Sequence, residues 1–219
     1  MVDVVLLTLK DGRLHIGLAY RNQPQEPFPD TWCLPGGYIH PQSDQDAADT
    51  ARRVLHDKAG ITAPYLEQLI TVSGPARDPR GWSASIVYYA LVPAHIAPAG
   101  SDRFAWFDAQ EVSRRTLPFD HATIIATALE RVRSKTRYSA LPLYLMPPVF
   151  TLTELLKVYE QVVDGKIERR SFIRRIEEMD VIEETGGFQQ EGHRPAKQYR
   201  VKHNGDAPLA MLDGALRTG

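Results

Sequence analysis

The sequence predicts an α/β (α+β) domain, a mixed sheet lying between helices, followed by a smaller helical domain that ends in a β-hairpin. Three observations carry that reading. Strand-like runs surround two amphipathic helical segments up to Arg137. A proline-bearing, weakly charged stretch follows at 138–148. Beyond it the order is helix, turn, helix and hairpin, so runs of strands give way to a separate helical unit.

The elements follow in chain order. VDVVLLT (2–8) and RLHIGLAY (13–20) are apolar and β-prone, with Asp11-Gly12 between them. That dipeptide is a strong hairpin signal, because glycine accepts the positive φ of a tight turn. NQPQEPFPDT (22–31) carries three prolines and reads as a loop. From Asp44 to Ala59, Ala47, Ala48, Ala51, Val54 and Leu55 recur at helical spacing, and Gly60 supplies the C-terminal stop. Strands are expected at about 66–73 and 83–92 and, shorter, at 103–107. Residues 120–136 form the second long helix, with Ile124, Ile125, Ala128 and Val132 on one face.

In the second part, Thr151 or Thr153 caps a helix running to about Val163, its apolar stripe being Leu155, Leu156, Tyr159 and Val162. Gly165 ends it, and a helix over about 168–179 follows with Phe172, Ile176 and Met179 on one stripe. VIEET, a turn at Gly186-Gly187, a polar loop and KQYRVK then complete a hairpin. That order is a winged-helix pattern. The expected boundaries are a domain at 1–137, a semi-rigid, partly packed linker at 138–148, a second domain at 149–203 and a loose tail at 204–219.

Composition sets limits on function. At about 150 residues per domain, 219 residues allow one large or two unequal domains. Hydrophobic residues at 43% and charged residues at 24% are ordinary for a globular chain. No apolar run approaches the roughly 20 residues of a membrane span, so no membrane partner is expected. MVDVVLLTLKDGRLHIG has neither the basic region nor the cleavage site of a signal peptide. The single cysteine, Cys33, excludes an internal disulfide framework, a CxxC pair and a cysteine-rich zinc site. A cytoplasmic protein is expected. A net charge of -1 gives no global hint of nucleic acid, so only a local cluster can.

Phosphate-loop, dinucleotide, serine-hydrolase and HExxH zinc motifs are all absent. What stands out is LPGGYIHPQSDQDAADTARRVLHDKAGI (34–61), which resembles the Nudix box of Nudix hydrolases. That box gathers glutamates because Mg²⁺ or Mn²⁺ must bridge a pyrophosphate and activate water. Counting back from Gly60-Ile61, the arginine of the box falls on Arg53 and the glutamate after it on Val54. The Glu-Glu pair falls on Asp57 and Lys58. The isolated glutamate falls on Ser43 counting forward from Gly37 and on Gln45 counting back from Arg53, the loop being two residues longer than the standard box. One carboxylate beside an ammonium is a poor site for a hard cation, so neither Mg²⁺ nor Mn²⁺ is expected. A capped amphipathic helix is the plainer reading of the same segment. A hydrolase using Asp44, Asp46 and Asp57 as unusual ligands is the rival.

Downstream, AWFDAQEV (105–112), LPFDHATIIATAL (117–129), FTLTELLKVYEQVVDGKIERRSFIRRIEEM (150–179) and EGHRPAKQYRV (191–201) occur in that order. The combination resembles the NrtR family of Nudix-related transcriptional regulators over roughly residues 1–202. The resemblance implies a Nudix-like sensing domain that is commonly degenerate, joined to a winged helix-turn-helix. It also implies ADP-ribose or a related sugar phosphate as effector, a double-stranded DNA operator, a homodimer, and repression of NAD-metabolism genes, with sugar-use genes as the other branch. No catalytic residue and no resident cofactor are expected.

The candidate residues follow. Lys166, Arg169, Arg170, Arg174 and Arg175 fall within ten residues that hold one acid, Glu168. Arg170 and Arg174, at i and i+4, share a helix face, and such a face reaches phosphates and guanine edges. Thr153, Ser171, Arg194 and Lys197 complete the expected DNA-binding set, the last two near the hairpin tip. Residues 150–205 hold ten basic and ten acidic residues, so Glu177, Glu178, Asp180, Glu183 and Glu184 would have to face away from DNA. A solvated surface helix is the alternative. For the effector the candidates are Arg21, Trp32, Gly36, Gly37, Arg53, Asp120 and His121. All but Arg53 also have a structural reading: Arg21 as a strand-end charge, Trp32 as core, Gly36-Gly37 as a tight turn, Asp120 and His121 as a helix start with a partnered imidazole. Cys33 reads as a small buried hydrophobe, and His193 as a phosphate contact or bystander rather than a metal ligand.

Overall fold

A computed structural model describes residues 1–191 and 194–202, the side chains of Glu191 and Arg194 excepted. The expectations for His193, for the Arg194 side chain and for the tail at 204–219 lie outside the described residues. The chain divides into two compact units, Met1–Glu130 and Arg131–Gly219.

In the first unit, β1 (Val2–Lys10) and β2 (Arg13–Arg21) pair antiparallel with Lys10 opposite Arg13. The intervening Asp11 and Gly12 have φ of 49° and 75°, the two positive values that a two-residue hairpin loop demands. Two very short strands, β3 (Thr31–Cys33) and β4 (Gly36–Gly37), join β2 and β1. Helix α1 (Ala47–Ala59) follows. Then come β5 (Tyr65–Gly74), β6 (Ser83–Leu91), β7 (Phe104–Asp108), the one-turn α2 (Ala109–Val112) and α3 (His121–Thr136), whose residues from Arg131 on belong to the second unit. The seven strands form one sheet whose main path is β3-β2-β1-β6-β5. β1 and β6 are parallel while the other pairs are antiparallel, so the sheet is mixed, as expected.

β1 is buried on both faces. Val2, Val4 and Leu6 pack with Ala51, Val54, Leu55 and Ala59 of α1 and with Ala90 of β6, so α1 covers one face. The helix begins three residues later than the sequence pattern suggests. Asp46 caps it by accepting the Asp49 N–H at 2.8 Å, and Gly60 closes it in the left-handed conformation. That frees Asp44 and Gln45 to belong to the loop.

The second unit is built from β8 (Phe150–Thr151), α4 (Leu152–Val163), α5 (Arg169–Met179), β9 (Ile182–Glu191) and β10 (Arg194–Val201), with sheet order β8-β10-β9. Thr151, not Thr153, caps α4. Its hydroxyl accepts the Glu154 N–H while the Glu154 carboxylate accepts the Thr151 N–H, a reciprocal capping box. Tyr159 of α4 and Phe172 of α5, both fully buried, meet edge to face with ring centroids 5.0 Å apart. Within 138–148 the segment Leu141–Leu145 is a 3-10 helix, and Ala140, Leu143 and Met146 belong to this unit's core.

The hairpin departs from expectation at one point. Gly186-Gly187 does not turn the chain but lies within β9, at a register shift opposite Lys197 to Tyr199. Gly186 has φ of 79°, and a Cβ on Gly187 would collide with the Gln198 side chain. The pair therefore serves a bulge rather than a hairpin turn.

Candidate ligand cavity and nucleic-acid interface

The first unit contains a cavity of about 370 Å³. Five of the seven candidate effector residues line it: Arg21, Gly36, Gly37, Arg53 and His121. Trp32 and Asp120 do not. Trp32 instead packs edge to face with Tyr20 and Phe107, centroids 5.1 and 5.2 Å away. Asp120 stands behind the wall and holds Arg77, which does line the cavity, through two bonds of 3.0 and 3.1 Å. Arg77, Arg80 and Phe119 are cavity residues that the sequence reading missed.

The wall carries many charged side chains. Asp3, 2% exposed, accepts the Ser85 hydroxyl at 2.6 Å and lies 3.6 Å from Arg77. A Cβ on Gly36 would collide with the Asp3 carboxylate, so glycine is what lets β4 run against it. His121 is 3% exposed and its Nδ1 accepts the Leu34 N–H at 3.1 Å. Burial lowers its pKa, partly offset by the charges of Asp3 and Asp120. The imidazole is therefore neutral and carries its proton on Nε2, 3.9 Å from Asp3. Beside it Phe119 holds a left-handed φ of 58° and stacks edge to face on Phe28 at 5.0 Å. Arg21 sits over the Phe119 ring at 5.2 Å and pairs with Glu26 at 2.5 Å. Burial pushes the Cys33 thiol up to about 11, as befits a small buried side chain rather than a nucleophile.

Helix α1 fronts the cavity with Arg53, Val54, Asp57 and Lys58. The three carboxylates open to a metal on the rival reading are differently employed. Asp44 accepts two bonds from Arg53, one from Thr50 and one from the His40 N–H. Asp46 caps α1. Asp57 lies 3.9 Å from Arg53, next to Lys58. Among the described residues no group of three histidine, cysteine or acidic side chains is gathered as a cation requires.

In the second unit, α5 turns Phe172 and Ile176 inward and leaves Arg169, Arg170 and Arg174 exposed, with Ser171 and Arg175 half-buried. Glu168 caps the helix by accepting the Arg170 and Ser171 N–H groups. Those bonds hold its carboxyl below the usual range. Arg169 donates to Thr153 at 3.4 Å, which brings two expected DNA-binding residues together at the start of α5. Lys166 pairs with Glu160 at 3.1 Å. The acids do not all turn away. Glu178 lies 3.7 Å from Arg174 on the same helix face, and Glu184 and Glu183 pair with Lys197 and Arg200 at 2.7 Å each. The reason is spacing: i, i+4 on α5 and cross-strand proximity on the hairpin set each acid beside a base.

A Nudix-like domain with a cavity lined by charged side chains, joined in one chain to a winged helix, is the architecture of a DNA-binding regulator with a ligand-sensing domain. Comparison with known proteins agrees. The NUDIX domain family matches residues 1–128 and the NrtR DNA-binding winged helix domain matches residues 142–201. The ADPR responsive transcriptional repressor NtrR of Acinetobacter baylyi is 39% identical over 203 residues, covering 91% of this chain and 80% of that protein. Shewanella oneidensis NrtR, crystallised with a 27mer DNA, is 35% identical with a TM-score of 0.91, covering 99% of this chain and 98% of that one. The NUDIX domain of the same Shewanella protein, in complex with ADP ribose, is 38% identical with a TM-score of 0.54 over 59% of this chain and 85% of that one. The chain belongs to the NrtR family of Nudix-related transcriptional regulators. No helix among the described residues is long and apolar enough to cross a membrane.

Proposed function

We propose that this protein is a cytoplasmic, homodimeric transcriptional repressor of genes of NAD synthesis or salvage. Its α5 face (Lys166, Arg169, Arg170, Ser171, Arg174, Arg175, with Thr153) and its hairpin (Arg194, Lys197) hold operator DNA. Its first unit binds ADP-ribose or a related nucleotide sugar phosphate through the cavity residues Arg21, Gly36, Gly37, Arg53 and His121, with Asp120 positioning the wall and Trp32 supporting β2. Ligand binding releases the DNA. The observation that carries this reading is the cavity face of α1, where Val54 and Lys58 stand at the positions the Nudix box reserves for metal-binding glutamates. A cavity lined by basic side chains but, among the described residues, without a cation-binding carboxylate cluster suits sensing rather than cleavage. The domain therefore turns over no ADP-ribose and requires neither Mg²⁺ nor Mn²⁺.

The experiment is a mobility shift on DNA from upstream of the protein's own coding sequence, with and without ADP-ribose, alongside a pyrophosphohydrolase assay with Mg²⁺ or Mn²⁺. The reading requires a specific shifted band that ADP-ribose abolishes, and no hydrolysis above background. Robust hydrolysis by the unmodified protein would overturn the silent domain, and the absence of any specific shift would overturn DNA binding.

A further inference from the structure

The cavity wall carries five lysine and arginine side chains, Arg21, Arg53, Lys58, Arg77 and Arg80. Four of them are already engaged by carboxylates. Arg21 pairs with Glu26 at 2.5 Å, Arg53 with Asp44 at 2.6 Å, Arg77 with Asp120 at 3.0 Å and Arg80 with Asp78 at 2.7 Å. Three of these acids are themselves well shielded, with side chains 3%, 25% and 4% exposed for Asp44, Asp120 and Asp78. Pulling Arg53, Arg77 or Arg80 off its acid onto a ligand would leave a poorly hydrated carboxylate behind, next to an incoming anion. Lys58 is different. Of the five lysine and arginine side chains it is the one with no carboxylate partner among the described residues, it is exposed, and it lies one helical turn beyond Val54 on the same cavity-facing side of α1.

We infer that Lys58 is the anion-binding residue of this cavity: its ammonium takes the place that a divalent cation occupies between a hydrolase and its diphosphate, and contacts a phosphate oxygen of the nucleoside diphosphate sugar directly. The inference rests on the effector reading above and deepens it. The physical logic is substitution of one positive charge for another. A Nudix hydrolase places glutamates on this helix so that a cation can sit between two sets of anions. Here a fixed cation replaces both the glutamate and the ion, with Val54 apolar beside it. Gly37, whose Cβ would come within 2.9 Å of Val54, brings the β4 backbone close against that part of the helix. Asp57, the remaining carboxylate there, is partly neutralised by Arg53 at 3.9 Å. A ligand held this way needs no metal, and without a metal there is no activated water, so binding and the absence of cleavage have one cause.

The test is calorimetric titration of ADP-ribose into the full chain and its variants, in EDTA and then with Mg²⁺. The unmodified protein is expected to bind in EDTA with an affinity that Mg²⁺ does not improve. Lys58→Met is expected to weaken binding by about ten- to a hundredfold, the range for a lost hydrogen bond between charged groups, and to flatten its salt dependence. Lys58→Arg should retain most of the affinity, and all three proteins should unfold at the same temperature because the side chain is exposed. Equal affinity of Lys58→Met and the unmodified protein, equal losses in the Met and Arg variants, or binding that appears only with Mg²⁺ would each overturn the assignment while leaving ADP-ribose as the effector. No binding by the unmodified protein in either condition would overturn the effector reading and this inference with it.

Discussion

Arg53 grips Asp44 with two nitrogens, Nε at 2.9 Å and a terminal nitrogen at 2.6 Å, and the same terminal nitrogen reaches the Tyr38 carbonyl at 2.9 Å. One guanidinium thus ties the loop between β4 and α1 to the middle of the helix. Arg53 lines the cavity and at the same time fixes the geometry of that loop. Its fork matches a carboxylate bidentately, which lysine would not do.

That pair predicts a pH signature. The Arg53 hydrogen bonds foremost, then the His40 N–H, hold the Asp44 carboxyl well below the usual carboxylate range. A depressed folded-state pKa contributes stability that is complete above the unfolded value, about 4, and is lost as pH falls through the folded value. Asp44→Asn should therefore be less stable than the unmodified protein at pH 7, with a gap that holds down to about pH 4 and closes below it. Urea unfolding at several pH values measures this, and a gap independent of pH would mean the carboxylate is not held ionised by Arg53.

His121 runs in the same sense but at higher pH. Its folded pKa lies below the ordinary imidazole value, so between the two values the unfolded chain binds a proton that the folded chain refuses. Stability then falls as pH drops from about 6.5 until the folded imidazole itself protonates. His121→Gln, which keeps an acceptor for the Leu34 N–H, should flatten that slope. Denaturant midpoints between pH 5 and 7.5 decide the matter, and an unchanged slope would place the titration elsewhere.

On α5, Arg170 is exposed and makes no side-chain ion pair among the described residues, whereas Arg174 shares its charge with Glu178 at 3.7 Å. Arg170→Ala should weaken operator binding by about 1–3 kcal/mol if the side chain reads a base, or lower the salt slope by about one unit if it contacts phosphate. Glu178→Gln should tighten binding, most at low salt, by releasing Arg174. Anisotropy titrations at two salt concentrations check both. Unchanged binding in both variants would move the DNA surface off this helix.

Phe172 has no exposed surface and locks α5 to Tyr159 of α4. Phe172→Ala should cost about 3–5 kcal/mol of second-unit stability and abolish operator binding by loosening α5. Chemical denaturation gives the first quantity and a mobility shift the second, and a destabilisation under about 1 kcal/mol would contradict the packing described.

Much of the fold was legible because its signals are local. Asp11-Gly12 forces two positive φ values, the alanines of α1 repeat at helical spacing, and Thr151 stands where α4 needs its cap. What escaped was shorter than any periodic signal or depended on distant partners. β3, β4 and α2 span only two to four residues. Gly186-Gly187 has the composition of a turn, yet the partner strand makes it a bulge, a distinction only pairing register reveals. The site divides in the same way. Arg53 and His121 fall within recognisable segments, whereas Arg77 and Arg80 lie in a loop between β5 and β6 with no pattern around them and reach the cavity only through the sheet order. Asp44 looked like the first residue of a helix because it precedes Asp46, the true cap, by two positions.

The central claim is that ligand occupancy and DNA binding are coupled in one chain. A sensor that performs no chemistry acts only through a difference in ligand affinity between its DNA-bound and free states, and that coupling is reciprocal. The direct measurement is calorimetric titration of ADP-ribose into the protein alone and into the protein saturated with operator DNA. The account predicts that operator weakens ADP-ribose binding, by about 5- to 150-fold, the same factor by which ADP-ribose weakens operator binding. Equal ADP-ribose affinities in the two titrations would contradict it.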